Sequence, residues 1–343
     1  MSTIHAYPLT DPSTAAHAQA LSLLRPHLPT SLPLYRRIQQ GRFFASTALL
    51  ANLDSLARAE PSPGEPWLLA LVDRASRPET EVWMFGSWES SSLSSCPPSA
   101  VQDEVLRNLV WKIRSFPLPA SIHRQERLEK LHKDSSSNDT DHSGTSRADY
   151  AAHRFDANIM LFGAVHESTA KCLERLGVVK HVFENSAHFI PNHTYVFDRK
   201  DLPPLPTSLP SGFRWGELDQ RHFPLVRSRT MIPRQDRTLA VLRSLAIFPN
   251  DSDQQPIAWA FIQLDGSLST LHVEPEWRGR GLAKMISTKL LVEKMPALWE
   301  KGVTEWAHAY VIEGNRASCR VCEAVGGRRE WDAYWVRVDL GAT

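Results

Sequence analysis

Between Ser267 and Met285 the chain reads S-L-S-T-L-H-V-E-P-E-W-R-G-R-G-L-A-K-M, and this stretch limits the fold more than any other. Up to Val273, apolar residues alternate with small polar ones in β-branched company, which is a strand pattern. Glu274-Pro275-Glu276 stops the strand, because proline cannot donate to a ladder and biases its neighbour away from helix. From Leu282 the apolar residues Leu282, Met285, Ile286, Leu290 and Leu291 fall at helical spacing. Between strand and helix stands Arg278-Gly279-Arg280-Gly281. A strand, a tight glycine turn and a helix start present unpaired backbone N–H groups to an anion. Gly279 and Gly281 let the backbone approach a ligand closely, and Arg278 and Arg280 add charge suited to bidentate phosphate contacts. Pyrophosphate is the common anion that fits best. No Gly-Lys-Ser/Thr follows, which excludes the nucleotide P-loop, and the third glycine of the dinucleotide fingerprint is missing.

The pattern V-x-P-x-x-R-G-x-G-L-A, Val273 to Ala283, resembles the acyl-CoA-binding signature of the GCN5-related N-acetyltransferase (GNAT) superfamily. The layout is closer still to the glycine N-acyltransferase family with its FR47-like C-terminal domain. L-P-S-G-F-R-W-G-E-L-D from Leu209, A-W-A-F-I-Q-L-D-G from Ala258 and P-E-W-R from Pro275 carry that likeness. Fainter echoes lie at L-Y-R-R-I-Q-Q from Leu34 and at Leu71-Val-Asp. The resemblance implies an α/β chain: a GNAT fold with a mixed, centrally splayed sheet, preceded by a degenerate GNAT-like or cap domain.

At 343 residues the chain has room for two domains. A Pro-rich run over 201–212 divides an N-terminal domain, 1–200, from a catalytic N-acyltransferase domain, 213–343. Lys133 to Arg147 holds no large apolar residue, so a disordered insertion is expected over about 133–148. In the first domain Thr14–Leu24, Leu34–Gln40, Val101–Ile113 and Ser168–Leu176 read as helices. Leu49–Leu56 is a further weakly periodic piece. Strands are expected at Trp67–Val72, Glu81–Trp88, Ile159–Ala164 and Phe189–Phe197. In the second, Asp219–Thr230 (broken by Pro224) and Arg237–Leu245 read as helices. Pro256–Leu264 reads as a strand, turning at Asp265-Gly266 into the strand from Ser267. Beyond the long helix come strand Thr304–Val311, helix Arg316–Ala324 and strand Trp331–Val338. H-E-S-T-A-K-C-L-E-R-L-G from His166 and N-R-A-S-C-R-V-C-E-A-V-G from Asn315 echo each other, as two halves built on one plan would.

With 39 basic against 38 acidic residues, nothing in the net charge of +1 argues for nucleic acid or a membrane surface as partner. No apolar run has the length of a membrane span, and Met1 to Pro12 shows no targeting pattern, so a cytoplasmic location is expected. The cysteines Cys96, Cys172, Cys319 and Cys322 lack framework spacing, and no second pair joins Cys319 and Cys322 to make a metal site. Reduced thiols and no metal are expected.

The resemblance implies acetyl-CoA or another acyl-CoA as cosubstrate and a primary amine of a small molecule, such as an amino acid, as acceptor. Leu271, His272 and Val273 would pair with the pantetheine. Arg278, Gly279, Arg280, Gly281, Leu282 and Ala283 would hold the pyrophosphate, and Asn315 and Ser318 match further cofactor-contacting positions. Where the superfamily carries its catalytic glutamate this chain has Ser267, which cannot take an ammonium proton near neutral pH. Asp265, His272, Glu274 or a water held by Ser267 are the substitutes in view. The tyrosine that serves many members as acid is replaced by Cys322, a thiol able to donate a proton or simply to pack. A CoA-binding protein without turnover is the alternative that Ser267 motivates, and a protein or peptide N-acetyltransferase is a third.

Overall fold

The computed structural model describes residues 3–57, 65–90, 99–120, 146, 149–150, 152–180, 190–205, 208–250 and 255–342. The insertion expected over 133–148 lies outside these residues, save for Ser146, and so does Cys96. The chain forms two compact units: Met1–Thr140, Ser146–Pro191 and Asp332–Thr343 make the first, and Asn192–Trp331 the second.

The first runs β1 (His5–Pro8), α1 (Ala15–Leu24), α2 (Leu32–Gln39), β2 (Ala48–Ala51), β3 (Leu68–Val72), β4 (Val82–Gly86), α3 (Ser99–Arg114), β5 (Ile159–His166) and α4 (Glu167–Arg175). The second begins with β6 (Asn192–Asp198), β7 (Phe213–Gly216), α5 (Phe223–Ser228), α6 (Asp236–Leu239), β8 (Arg243–Pro249), β9 (Ala258–Ile262) and β10 (Ser267–Val273). It continues through α7 (Leu282–Lys294), β11 (Trp306–Ile312) and α8 (Arg316–Ala324) into β12 (Arg328–Asp339).

Within the first sheet β1 to β4 pair antiparallel in sequence. β4 then runs parallel to β5, in register only at Val82↔Phe162 and Trp83↔Gly163, and β5 pairs antiparallel with β12. The second sheet repeats this plan. β7 to β10 pair antiparallel in sequence, and β10 runs parallel to β11 only at Ser267↔His308 and Leu268↔Ala309. β11 is completed by β6, antiparallel. The paired echo in the sequence marks equivalent places: α4 and α8 each follow the second parallel strand. His166 and Asn315 accept from the backbone N–H of Ser168 and Ser318, capping the two helices. Each helix closes at a left-handed glycine, Gly177 or Gly326. The structure is thus a mixed, splayed sheet plan used twice.

The units differ from the division drawn at 200 and 213. β6 belongs with the second unit because it forms a seven-residue ladder with β11. The chain leaves the second unit within β12, whose residues from Ala333 on pair with β5. Leu49–Leu56 contains strand β2, buried along its length between β1 and β3, where a short apolar run carries no helical information. Arg237–Leu245 is likewise corrected. Helix ends at Leu239, and Arg243–Pro249 is strand β8, buried between β7 and β9. Pro224 starts α5 instead of breaking it, standing at the first turn where its missing N–H costs nothing. β1 had no reading as a strand.

Both faces of the second sheet are covered. Leu282, Ile286, Leu290, Leu291 and Met295 bury against Ala258, Ala260, Ile262, Leu268, Ala307 and Ala309. Each such leucine contributes about 1.5–3 kcal/mol. On the other face Ala246, Phe248, Trp259 and Phe261 meet Phe223, Val226 and Leu239.

In the first unit the segments on either side of β4 tuck acidic side chains inside. Burial pushes the Glu89 carboxyl up to about 8, against the pull of the Thr169 hydroxyl that donates to it. Burial also lifts Glu81 to about 7, although Arg77 Nε lies 3.3 Å away. Both values lie above the ordinary 4.5. The folded state therefore holds protons the unfolded chain gives up, and stability present below pH 4.5 is lost as pH rises through 7 to 8. Glu89→Gln removes most of this dependence: urea titrations should show it more stable than the parent at pH 8.5, on the order of 4 kcal/mol at most, and nearly equal at pH 5.

Candidate active site

The turn into α7 has the form the sequence implies. Gly279 and Gly281 both sit at φ +76°, and a Cβ built on either would meet no atom within 4 Å, so the backbone there faces open space. Gly281 is the N-cap of α7, with no side chain closing the helix end. The first-turn N–H groups of a helix have no partner within it, and the dipole of this 13-residue helix adds positive potential at the same place. Arg278 Nε donates to the carbonyl of Val273 at 3.0 Å, and the Arg280 guanidinium lies 4.7 Å from the Trp277 ring centre. Trp277 in turn meets Phe213 edge-on at 5.0 Å. The two cations are thereby held beside the turn.

β10 leads into this turn and changes character midway. Its register against β9 shifts between Ser269 and His272, and Thr270 takes φ +52°. A bulge of this kind bends the strand and increases its twist. The parallel ladder to β11 is recorded only as far as Leu268, so Leu271, His272 and Val273 lie beyond the registered part of that edge. A backbone edge of unpaired N–H and C=O groups is what an extended amide-bearing chain pairs with.

Two polar clusters flank the bend. At its far end, the His272 ring stacks on buried Trp259, with centroids 4.7 Å apart. His272 Nε2 lies 3.6 Å from Glu274 Oε2, and Arg229 Nε donates to both Glu274 oxygens at 2.9 and 3.2 Å. Burial holds the imidazole below its ordinary pKa, partly offset by Glu274. These side chains line a cavity of about 750 Å³, with Leu225, Ile257 and Arg278 among its other walls. At the near end, Asp265 Oδ1 accepts from the Ser267 N–H at 3.1 Å and the Ser267 hydroxyl at 2.7 Å. Asp265 Oδ2 lies 3.4 Å from His308 Nε2. Burial alone would raise the Asp265 carboxyl, but His308 and Ser267 bring it below its ordinary value.

The remaining sequence candidates lie on α8. The Asn315 side chain caps that helix, accepting from the Ser318 N–H at 3.1 Å. Cys322 is buried in the core formed with α7, and burial pushes its thiol up to about 12. Ser267, Leu271, His272 and Val273 share β10, and Arg278 to Ala283 follow directly. Arg229 and His308 escaped the sequence reading. For His308 a signal was present: in W-A-H-A-Y-V from Trp306, polar-tipped residues recur at period two, putting His308 and Tyr310 on one sheet face. Arg229 reaches Glu274 only through the fold.

Residues 3–197 match the family model described as the acyl-CoA N-acyltransferase verG N-terminal domain, and residues 245–336 match the FR47-like protein model. Among solved structures, a Drosophila protein determined by X-ray crystallography is similar at TM-score 0.58 and 14% identity, over 97% of this chain and 98% of that one. A GCN5-related N-acetyltransferase from Sphaerobacter thermophilus gives TM-score 0.48 and 13% identity, over 98% and 96%. A tandem GNAT protein from the clavulanic acid biosynthesis pathway gives 0.46 and 11%, over 98% and 99%. No curated protein sequence matches the chain.

The cost of a side chain at Gly281 is one of backbone alone, because the space beyond it is open. Gly281→Ala should lower stability by about 1–2 kcal/mol and Gly281→Asn by less, since asparagine tolerates the left-handed region. Equal losses in urea denaturation would contradict the observed φ.

Proposed function

Because this chain belongs to the acyl-CoA N-acyltransferases of the GNAT superfamily, we propose that its second unit carries the transferase site, moving an acyl group, acetyl in the simplest case, from CoA to a primary amine of a small molecule. The observation that carries this reading is the pair of left-handed glycines facing open space at the uncapped start of α7, between Arg278 and Arg280. Amides from Gly279 to Ala283 would hold the pyrophosphate, and the two guanidiniums would neutralise it. Leu271, His272 and Val273 would offer their backbone to the pantetheine. Acyl-CoA supplies the activated thioester; the chain's part is to hold it, orient the amine and take up a proton.

The cavity walled by Arg229, His272 and Glu274 is where the acceptor would bind. Its volume suits a small molecule, and its wall carries charges of both signs, Arg229 and Arg278 against Glu274 and Glu276, in keeping with a zwitterion such as an amino acid. His272 stands between the open edge of β10 and this cavity. Ser267 spends its hydroxyl on Asp265, and Cys322, with its raised thiol, serves packing rather than proton donation. Asn315 and Ser318 hold the start of α8 toward the cofactor.

Calorimetry with acetyl-CoA tests the grip. The parent protein should bind, and Gly281→Trp should weaken binding at least 100-fold while the protein remains folded. Arg280→Ala should weaken it about 10-fold, in line with the loss of one charge-assisted contact. Unchanged affinity in Gly281→Trp would refute the assignment. Release of free thiol with a panel of amino acids and small amines then separates a working transferase from a CoA-binding protein without turnover, and a response confined to peptides would move the acceptor to that class.

A further inference from the structure

The sequence leaves the proton acceptor of such a transfer unassigned, since a serine stands where the superfamily has a glutamate. The parallel register of β10 on β11 sets His308 directly opposite Ser267, one pair before the registered ladder ends at Leu268↔Ala309. His308 is fully buried, and Asp265 and Ser267 nearly so. Asp265 is fixed by the Ser267 N–H and hydroxyl on one oxygen and faces His308 Nε2 at 3.4 Å with the other. Neither ring nitrogen of His308 makes an aligned hydrogen bond among the described residues: Nε2 only faces Asp265 across that 3.4 Å, and Nδ1 has no partner. Leaving a buried polar nitrogen unpaired is costly unless it has work to do. The other titratable side chain recorded against His308 is Tyr310 of the same strand, ring to ring at 5.2 Å. Burial and Asp265 keep that phenol protonated well above its ordinary range, so it does not compete for the proton.

We propose that Asp265 and His308 together take the place of the missing glutamate, His308 accepting the proton released as the amine attacks the thioester and Asp265 orienting the imidazole and stabilising its cation. An imidazole with one nitrogen toward a fixed carboxylate and the other free is built for general base work. The amine lone pair forms the C–N bond and the C–S pair leaves with sulfur. The proton passes from the amine nitrogen through water to His308, which is buried off the cavity wall, and then to the leaving thiolate, so amide and free thiol account for every atom. Ser267 holds Asp265, and His272 on the cavity wall positions the acceptor. This assignment rests on the acyl-transfer reading above.

The test is steady-state kinetics from pH 5.5 to 9 with acetyl-CoA and the best amine of the panel, on the parent, His308→Gln, Asp265→Asn and His272→Gln. Acetyl-CoA affinity of each is measured separately by calorimetry. His308→Gln should cut kcat about 100- to 1,000-fold and abolish the acid limb of the profile, with acetyl-CoA affinity within about twofold. Asp265→Asn should cut kcat about 10-fold and move the limb to lower pH, because the imidazolium loses its anion. His272→Gln should raise KM for the amine and keep the limb. Retention of rate and limb in His308→Gln, or loss of the limb in His272→Gln instead, overturns the proposal. Should these variants fail to fold, His308→Asn and Asp265→Glu are measured in the same way, and an unchanged kcat in a folded His308→Asn refutes the role. A parent that binds acetyl-CoA but releases thiol to no amine sinks the transfer reading itself, a result distinct from the others.

Discussion

The parallel pairing of β10 with β11, two registered positions and then no further ladder, is the constraint on which the second unit depends. Hydrogen bonding holds the strands at Ser267–His308 and Leu268–Ala309. Past that point the bulge at Thr270 bends β10 along its own course into the turn that opens α7. A polar cluster occupies the vertex, a backbone edge follows it, and an uncapped helix start closes the far end. One strand presents these three features in order. The apolar faces of α7 and of α5 and α6 clamp the sheet from both sides, so the divergence sits in a fixed frame.

Electrostatics sort the two histidines of this region. Both lie on the sheet face toward α5, yet His272 borders a cavity and shares Glu274 with Arg229, whereas His308 is buried beside Asp265 and the Tyr310 ring. An imidazole that shares its carboxylate with an arginine gains less from that anion than one whose carboxylate faces only neutral partners besides. Geometry and charge thus give neighbouring residues of one type separate surroundings.

Much of this was legible in the sequence because it is local. The turn from Val273 to Ala283 is set by proline and two glycines, whose backbone demands need no tertiary context. The helical face from Leu282 to Leu291 buries as its spacing implies. What escaped is non-local. Strands β2 and β8 are short apolar runs whose identity is decided by the neighbours that bury them. His308 gains its meaning from a register with Ser267 across the length of α7, and Arg229 from Glu274, a residue far along the chain. Cys322 reads in the sequence as acid or, in preference, as filler, and its burial accords with filler.

The placement of β6 and β12 bears on how the molecule is made. Each sheet is finished by a strand from the stretch of chain that follows its other members or, for the second, precedes them. During synthesis β5 emerges long before its partner, and its edge stays bare until residues 333–339 have been translated. The second sheet, by contrast, has β6 waiting when β11 appears. The half made first must therefore be completed last, which exposes its unfinished edge to chaperones and to aggregation throughout translation.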